Sequence, residues 1–225
     1  APEGAVRVTS ARDRETGADA MSGFTVAGKR IVVVGAARSG IAAAELLVRR
    51  GASVTLTDLK APIPEAERLA AIGVALQPGG HDARTLETSD LVVLSPGVPL
   101  GQPALDAARR AGVPIVGELE LASRWLKGRV VAITGTKGKS TTTTLVGRIL
   151  AAAGIRAKVA GNIGAPLSAD VEASTSETIH VVEVSSFQLE TTSTFHPWMA
   201  VLLNLSTDHL DRHADFEEYA SAKAR

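Results

Sequence analysis

One stretch of the chain combines residue types that can hold a polyphosphate. Residues 130–144 read VVAITGTKGKSTTTT, where an apolar β-branched run leads through glycines into a helical pattern. A strand that turns through glycines into a helix start directs several backbone N–H groups at one anion. Lys139 can then reach the outer phosphates, and the Ser140 hydroxyl can ligate Mg²⁺. The pattern predicts a nucleoside triphosphate site formed by Gly135, Thr136, Lys137, Gly138, Lys139, Ser140 and Thr141.

The glycine spacing differs from the common phosphate-binding loop, G-x-x-x-x-G-K-[ST]. Here Gly135 and Gly138 enclose only Thr136 and Lys137. The alternative is a glycine turn that merely precedes a Lys-Ser pair. The strand pattern before the loop and the threonine-rich helix start after it favour phosphate binding. The short spacing also reduces the number of protein families to which such a loop can belong.

Another glycine loop, Gly35 to Gly40, comes earlier in the chain and is called the first glycine loop. It follows a predicted strand and opens a predicted helix, which suits phosphate binding. Asp58 lies 23 residues after Gly35, at the end of the next strand, where an acidic side chain often contacts a ribose. Ala37 replaces the middle glycine of the dinucleotide-binding pattern, and its Cβ keeps a pyrophosphate away from the backbone. Three alternatives stay open: NAD, another nucleotide or diphosphate, and a purely structural turn. The turn Ser95–Gly97 closes another strand at the same predicted sheet edge.

Polar side chains also follow two predicted strands in the second half of the chain. Glu183 ends the run IHVVEV, and His209 follows the run MAVLL. Because ligands of open α/β sheets bind at the carboxyl ends of strands, both are candidate ligands for a phosphate-bound Mg²⁺ or Mn²⁺. The alternatives are a Glu183 carboxylate paired with Lys139 and a simple turn histidine. Lys223, on the last predicted helix, is by itself typical of a solvated surface lysine.

Bulk composition limits the class of protein. The chain has 225 residues, 45% of them hydrophobic, enough for one large domain or two small ones. Lys+Arg 24 balances Asp+Glu 24, so charge gives no reason to expect nucleic-acid or membrane binding. The cysteine count is 0, which excludes disulfides and thiolate chemistry and fits a reducing compartment. The apolar runs are short and no signal peptide is evident, so we expect a cytoplasmic protein.

Strand and helix patterns alternate from residue 28 onward, which predicts α/β units with parallel sheets. The first unit has predicted strands at 29–34, 54–57, 74–76, 91–95 and 114–116, and predicted helices at 39–50, 64–71, 103–111 and 118–126. The second has predicted strands near 130–134, 157–160, 179–184 and 199–203, and predicted helices near 140–153, 164–171 and 214–225. We expect a disordered extension over 1–22, one domain over 23–127 and a second over 128–225 that stops in mid-helix.

Four motifs together resemble the Mur ligase family: GTKGKSTT at 135–142, GNIG at 161–164, EVSSFQLE at 183–190 and NLSTDHLDRH at 204–213. SSFQLE and DHLDRH distinguish best between members of the superfamily, because the GTKGKSTT loop at 135–142, called the phosphate loop below, is shared by all of them. The resemblance runs from about Gly28 to Arg225. It implies an α/β fold with a Rossmann-like UDP-binding domain followed by a truncated P-loop ATP-binding domain. The rest of that domain and a C-terminal domain would then be missing from an N-terminal fragment.

The resemblance implies an ATP-dependent amide ligase of peptidoglycan biosynthesis. ATP would phosphorylate the carboxylate of UDP-N-acetylmuramoyl-L-alanine to an acyl phosphate, which the amine of D-glutamate would capture. The implied catalytic residues are Lys139, Glu183, His209 and Lys223. Ser140 and Glu183 would ligate one Mg²⁺, and His209 with Lys223 a second. Lys223 falls where the family has a lysine carbamylated by CO₂.

The resemblance also implies a substrate site, for which the candidates are Arg38, Ser39, Asp58, Lys60, Ser95, Pro96, Gly97, Asn162, Ser185 and Gln188. Two positions depart from the family pattern: Lys137 stands where many relatives carry Asn, and Lys60 where Arg is common. Lys60 cannot form the bidentate contact of an arginine. We expect a monomer that binds neither nucleic acid nor membrane.

Two other functions stay open. One is a different ligase of the superfamily, such as a folylpolyglutamate-type enzyme, against which the UDP-type first domain and the SSFQLE motif argue. The other is a fragment that binds nucleotide or UDP-substrate without turnover, because the domain that binds D-glutamate would be absent.

Overall fold

Strands alternate with helices along most of the chain, as the apolar patterns predict. The computed structural model describes residues 7–10, 24–209 and 212–225. In these residues the strands are β1 (Arg7–Ser10), β2 (Arg30–Val34), β3 (Ser53–Asp58), β4 (Ala75–Pro78), β5 (Leu91–Leu94), β6 (Ile115–Gly117), β7 (Arg129–Thr134), β8 (Ala157–Gly161), β9 (Ile179–Glu183) and β10 (Met199–Leu202). The helices are α1 (Arg38–Arg49), α2 (Ala66–Ala71), α3 (Ala83–Glu87), α4 (Pro103–Arg110), α5 (Glu118–Ser123), α6 (Lys139–Ala152), α7 (Leu167–Asp170), α8 (Ser186–Leu189) and α9 (Phe216–Ala224).

The first sheet is parallel and has the order β4-β3-β2-β5-β6. Its central strand β2 carries four consecutive buried residues, which is typical of a strand covered by helices on both faces. From β2 the chain first builds the sheet toward β3 and later returns to add β5 on the other side. This reversal opens a crevice at the carboxyl end of β2, where the loop Gly35–Gly40 lies.

The second sheet has the order β1-β10-β7-β9-β8 and is parallel except for β1, which pairs antiparallel with β10. The register places Glu183 of β9 beside Ile133 of β7 and beside Gly161 of β8. The carboxyl ends of three neighbouring strands therefore meet at one edge of the sheet. The residues that follow these strands lie close together for this reason.

An apolar core is shared between the two sheets. Leu46 of α1 and Leu119 of α5 are fully buried and pack in one cluster with Ala160, Leu167 and Val182 from the second sheet and its helix α7. Burial of this apolar surface stabilises the contact between the halves of the chain. The crevice of the first sheet is thereby placed next to the second sheet.

The structure corrects the sequence analysis at several elements. Residues 7–10 form strand β1, although disorder was expected over 1–22; the rest of that range lies outside the described residues. The short helices α3 and α8 were not predicted, because each is a single turn held by a local cap rather than by periodic apolar residues. Helix α7 begins only at Leu167, since Pro166 disfavours helical backbone in the residue before it.

The remaining predicted elements are found within a few residues of their expected limits. The predicted joint, 127–128, lies between α5 and β7, and the domain limits themselves stay predictions. None of the helices in the described part of the chain is long and apolar enough to cross a membrane.

Candidate nucleotide and substrate site

The loop between β7 and α6 adopts a conformation that requires glycine at both ends. Gly135 has φ +145° and Gly138 has φ +82°, where a side chain is strained. A Cβ at Gly135 would also lie 3.1 Å from the Leu203 Cβ. The loop therefore passes close to the segment that follows β10, and the two glycines of the motif are explained by backbone geometry.

Asn204 holds this loop in place. Its backbone carbonyl accepts a hydrogen bond from Thr136 N at 3.0 Å. Its side-chain Oδ1 accepts from Lys137 N at 3.0 Å, while its Nδ2 donates to Lys137 O at 3.0 Å. The sequence analysis placed Asn204 in a family motif but gave it no role. Its position directly after a strand that neighbours β7 was the available signal.

The N-terminal end of helix α6 is suited to binding an anion. The helix begins at Lys139, and among the described residues no side chain caps its first turn. The backbone N–H groups of that turn are therefore open to an anion. The Lys139 ammonium folds back over the loop and donates to Gly135 O and Thr136 O, both at 2.9 Å. The positive charge of Lys139 is thus held over the loop that would cradle phosphates.

A buried carboxylate links the loop helix to the neighbouring strands. Glu183 is only 1% exposed and accepts hydrogen bonds on both oxygens. Ser140 Oγ donates to its Oε2 at 2.7 Å, and Asn162 Nδ2 donates to its Oε1 at 2.7 Å. Lys139 instead bonds to loop carbonyls, so in the described residues the alternative of a Glu183–Lys139 ion pair is not realised.

Lys223 is not the solvated surface lysine that its position alone suggested. Helix α9 carries it to the end of β7, where it is 6% exposed and donates from Nζ to Thr134 Oγ1 at 3.2 Å. Burial, and secondly the nearby charge of Lys139, lower the pKa of Lys223 to about 8. Tyr219, on the same helix, is fully buried and its hydroxyl lies 3.0 Å from Thr136 Oγ1. Helix α9 therefore packs directly against the phosphate loop.

His209 stands apart from this group. It has φ +53°, its side chain is 44% exposed, and its Nε2 lies 3.8 Å from Asp208 Oδ2. Its ring packs edge-on against Phe187 at 5.0 Å. The described residues contain no cluster of three or more His, Asp or Glu side chains that could hold a metal ion by themselves. The metal-binding role of His209 stays a prediction.

A cleft of about 230 Å³ lies between the first glycine loop and the second sheet. It gathers seven of the ten predicted substrate residues, namely Arg38, Ser39, Ser95, Pro96, Gly97, Asn162 and Gln188. Arg38 Nη2 crosses the boundary between the two halves and donates to Gly164 O at 2.6 Å. Both halves of the chain therefore form the walls of one cleft.

Three predicted substrate residues do not line this cleft. Asp58 accepts from Ala36 N at 2.6 Å and from Lys60 N at 2.8 Å, so its carboxylate already orders the glycine loop. Lys60 is exposed. Ser185 forms a capping box with Gln188: Ser185 Oγ accepts from Gln188 N at 3.3 Å, and Gln188 Oε1 accepts from Ser185 N at 3.0 Å. Ser185 thus orients a residue that does line the cleft.

The donor set at the phosphate loop suits Mg²⁺. The Ser140 hydroxyl and the Glu183 carboxylate supply hard oxygen ligands. Their direct hydrogen bond shows that the two groups are close enough to bind the same cation. Mg²⁺ commonly takes one or two such protein ligands and completes its shell with phosphate oxygens and water. A site with these two ligands therefore fits a cation that arrives with a nucleotide.

Two family models match the chain in succession. The MurD-like N-terminal domain of Mur ligases matches residues 29–117. The Mur ligase middle domain matches residues 133–225. The first match covers the first sheet, and the second covers the phosphate loop and all that follows it.

Curated relatives agree with these matches. The UDP-N-acetylmuramoylalanine–D-glutamate ligase of Acidobacterium capsulatum is 50% identical over 201 residues, which are 88% of this chain and 44% of that protein. The enzyme of the same name from Pelotomaculum thermopropionicum is 52% identical over 200 residues, again 88% and 44%. The chain thus spans less than half the length of these relatives.

Solved structures show the same fold. The UDP-N-acetylmuramate:L-alanyl-gamma-D-glutamyl-meso-diaminopimelate ligase of Neisseria meningitides superposes with a TM-score of 0.56 at 23% identity, covering 87% of this chain and 66% of that one. The UDP-N-acetylmuramate-alanine ligase of Thermotoga maritima has a TM-score of 0.51 at 23% identity, with coverages of 86% and 46%. These likenesses establish the α/β architecture.

Proposed function

Because the chain belongs to the Mur ligase family, we propose that it forms the UDP-substrate-binding and ATP-binding part of an ATP-dependent ligase. The proposed reaction joins D-glutamate to UDP-N-acetylmuramoyl-L-alanine in peptidoglycan biosynthesis. The name shared by the curated relatives supports this choice of substrates.

One observation carries the proposal: the cleft and the phosphate loop share a wall. Asn162 lines the cleft, and its amide donates to Glu183, which in turn accepts from Ser140 on the loop helix. A carboxylate held in this cleft would lie beside a nucleotide held at the start of α6. This arrangement suits transfer of a phosphoryl group from the nucleotide to the carboxylate, because that reaction depends chiefly on alignment and charge neutralisation.

The chain's own groups have distinct roles in this proposal. The open N–H groups of α6 and the Lys139 ammonium bind the phosphates. Ser140 and Glu183 hold Mg²⁺, which, when bound, neutralises the charge that develops on the phosphoryl oxygens. Asn162 and Gln188 orient the substrate carboxylate in the cleft. Transfer gives an acyl phosphate, and the D-glutamate amine attacks its carbonyl carbon and expels phosphate.

Lys223 is proposed to be carbamylated. Its buried amine has a lowered pKa, so a sizeable neutral fraction exists near neutral pH. The neutral nitrogen can attack CO₂, forming an N–C bond and losing one proton. The resulting carbamate would supply oxygen ligands for a second Mg²⁺ or Mn²⁺, with His209 as a further ligand. Mass spectrometry of the intact chain under CO₂ tests this: a gain of about one CO₂ that Lys223→Ala abolishes supports it.

The first glycine loop is proposed to bind the uridine diphosphate. Arg38 and Ser39 at the start of α1 and the Ser95–Gly97 turn surround the cleft at the carboxyl end of the first sheet. Asp58 orders this loop by accepting a hydrogen bond from Ala36 N, and the exposed Lys60 would approach the ligand from the solvent side. NAD is disfavoured because Ala37 replaces the middle glycine that the dinucleotide-binding pattern requires. The diphosphate of the proposed ligand would instead be bound by side chains that line the cleft, such as Arg38 and Ser39.

The proposed reaction is tested with the complete product of the gene that encodes this chain. Purified protein is incubated with ATP, Mg²⁺, UDP-N-acetylmuramoyl-L-alanine and labelled D-glutamate, and labelled UDP-dipeptide is separated by chromatography. Incorporation that requires all four components supports the proposal. Absence of incorporation, together with activity on a folate and L-glutamate, would identify a folylpolyglutamate-type ligase instead.

The 225-residue chain alone is proposed to bind both ligands without turnover. Calorimetry with the chain should detect MgATP and the UDP-substrate, while phosphate release stays at the level of a blank. Phosphate release comparable to that of the complete gene product would contradict this. We also propose a cytoplasmic monomer, consistent with its nucleotide ligands, which light scattering tests for its oligomeric state.

A further inference from the structure

We propose that Arg212 is a positioning residue that fixes the cleft turn, defined as residues 95–98, relative to the nucleotide-binding half of the chain. The inference rests on the proposed function, because it concerns how that site is assembled. Arg212 lies in the DHLDRH motif, to which the sequence analysis gave no role beyond His209.

Arg212 reaches across the boundary between the two halves. Its Nη2 donates to Val98 O at 3.1 Å, and its Nη1 lies 3.4 Å from Pro96 O. These carbonyls are 114 and 116 residues away in sequence. The contact therefore joins the segment after β10 to the turn after β5, and two groups of one side chain contact two carbonyls of one turn.

The guanidinium is also held on its own side of the boundary. It stacks over the Phe187 ring, with its central carbon 4.1 Å from the ring centroid. Its Nη2 lies 3.6 Å from Glu190 Oε2, and the Arg212 side chain is only 17% exposed. A planar cation that stacks and donates in two directions suits arginine and not lysine. The side chain thus has one defined position.

Arg212 connects the parts that the proposed function needs to align. Its backbone N–H donates to His209 O at 3.0 Å, which ties it to the segment that carries that candidate ligand. Phe187 precedes Gln188 in α8, and Gln188 and Pro96 line the same cleft. The Arg212 side chain therefore contacts the cleft turn and helix α8, while its backbone is bonded to His209 within the 204–213 segment.

Little free space remains between these parts. A cavity of about 10 Å³ lies among the cleft turn, Phe187, Gln188 and Arg212. Such a volume admits at most about one water molecule. The turn and α8 therefore cannot shift much relative to each other while Arg212 is in place. Loss of Arg212 would release a turn that contains Gly97.

We expect this release to affect one substrate more than the other. A misplaced turn weakens binding of the UDP-substrate and misaligns its carboxylate, whereas the phosphate loop is untouched. In the complete gene product, Arg212→Gln should raise KM for the UDP-substrate about tenfold, lower kcat, and leave KM for ATP within about twofold. The KM of Arg212→Lys for the UDP-substrate should lie between those of Arg212→Gln and the wild type, because one ammonium can replace only one of the two guanidinium contacts with the turn.

Arg225→Gln is the matched control. Arg225 Nη1 donates to Glu190 O at 3.1 Å, close to Arg212, but it does not contact the cleft turn. This variant should keep both KM values. A second measurement does not need turnover: the Val98 amide, which bonds to Ser95 O at 3.0 Å, should exchange its hydrogen faster in the Arg212 variants of the 225-residue chain.

The outcomes separate the inference from the proposed function. A wild-type protein that uses neither ATP nor the UDP-substrate refutes the proposed function. An active wild type in which Arg212→Gln lowers kcat at unchanged KM values, or changes both KM values equally, refutes the positioning role. Unchanged Val98 exchange in Arg212→Lys refutes it as well, even if Arg212→Gln does not fold.

Discussion

The Ser140 hydroxyl donates a hydrogen bond of 2.7 Å to Glu183, although 43 residues separate them in sequence. The parallel register of β7 and β9 causes this contact, since it sets Ile133 beside Glu183 and brings the start of α6 to the end of β9. Asn162 occupies the second oxygen of the same carboxylate. One oxygen of this buried anion thus faces the start of α6, where a nucleotide would bind, and the other faces Asn162 in the wall of the cleft.

Glu183→Gln should weaken the magnesium-dependent binding of ATP. The substitution removes the negative charge and replaces one acceptor oxygen with a donor, so the pair of bonds from Ser140 and Asn162 cannot both form. We expect the affinity for MgATP to fall at least about tenfold. Calorimetry with and without Mg²⁺ measures this, and Glu177→Gln, at an exposed position, serves as the control. Equal magnesium dependence in Glu183→Gln and wild type would contradict the assignment.

Lys139→Ala should nearly abolish turnover. Its ammonium lies over the loop carbonyls of Gly135 and Thr136, and no other described lysine has this position. Loss of a main electrostatic stabiliser of a transition state costs about 3–4 kcal/mol, or about 10²–10³-fold in kcat. ADP release by the complete gene product measures the effect. Lys158→Ala, on an exposed position of β8, should retain normal release; near-normal release by Lys139→Ala would rule out the site.

Asn204→Ala should loosen the phosphate loop. The side chain contributes two hydrogen bonds to the backbone of Lys137, each worth about 1 kcal/mol. We therefore expect the free energy of unfolding to fall by up to about 2 kcal/mol and KM for ATP to rise about tenfold. Leu205→Ala, a neighbouring exposed position without such bonds, should bind ATP normally. A normal KM for ATP in Asn204→Ala would show that the loop keeps its conformation without the two Asn204 hydrogen bonds.

Much of the fold could be predicted because its strands are short apolar runs between glycine turns. Buried strands such as β5 and the glycine loop before α6 have strong local signals. Strand β1 lacks one: it exists through antiparallel pairing with β10, about 190 residues away, which no local pattern encodes. Helices α3 and α8 are set by single caps, Asp82 and Ser185, which are easily mistaken for turns.

The sequence predicted the positions of some site residues but not of others. Residues whose motif carries its own geometry, such as Lys139 and Ser140, lie where the sequence places them. The position of Lys223 depends on how α9 packs against β7, so its own sequence context suggested only a surface lysine. Arg212 and Asn204 act by contacts to distant backbone carbonyls and amides, and side-chain type alone gave no reason to single them out.

Gly40→Ala should destabilise the first glycine loop. A Cβ at Gly40 would lie 1.8 Å from Gly35 O, so α1 would have to move away from the end of β2. Overpacking of this kind costs about 1–3 kcal/mol in the free energy of unfolding. Denaturant unfolding measures it. Gly101→Ala is the control, because a Cβ there meets nothing within 4 Å. Equal midpoints for the two variants would contradict the close approach of α1 to the loop.

Glu120 of α5 is fully buried, and its carboxylate accepts hydrogen bonds from the segment after α8. The N–H groups of Ser193, Thr194 and Phe195 donate to it at 2.9–3.0 Å, and Arg124 Nη2 donates at 2.9 Å. Burial alone would raise the pKa of Glu120, but hydrogen bonds from the Thr194 hydroxyl, the Ser193 and Thr194 N–H groups and Arg124 outweigh it and lower the pKa to about 2. The ionised carboxylate thus links α5, in the first half of the chain, to the segment after α8, in the second half.

Acid should weaken this attachment, and Glu120→Gln should remove the effect. A folded-state pKa of about 2, against 4.5 ordinarily, means that the ionised group stabilises the fold above pH 4.5 and that this contribution is lost as the pH falls toward 2. The difference corresponds to about 3 kcal/mol. Urea unfolding should therefore show Glu120→Gln less stable than wild type at pH 7, with the gap closing as the pH falls to about 3 and below. Glu87→Gln, at an exposed position of α3, should follow the wild type at every pH. A gap between Glu120→Gln and wild type that does not narrow in acid would mean that the charge of Glu120 does not hold the two halves together.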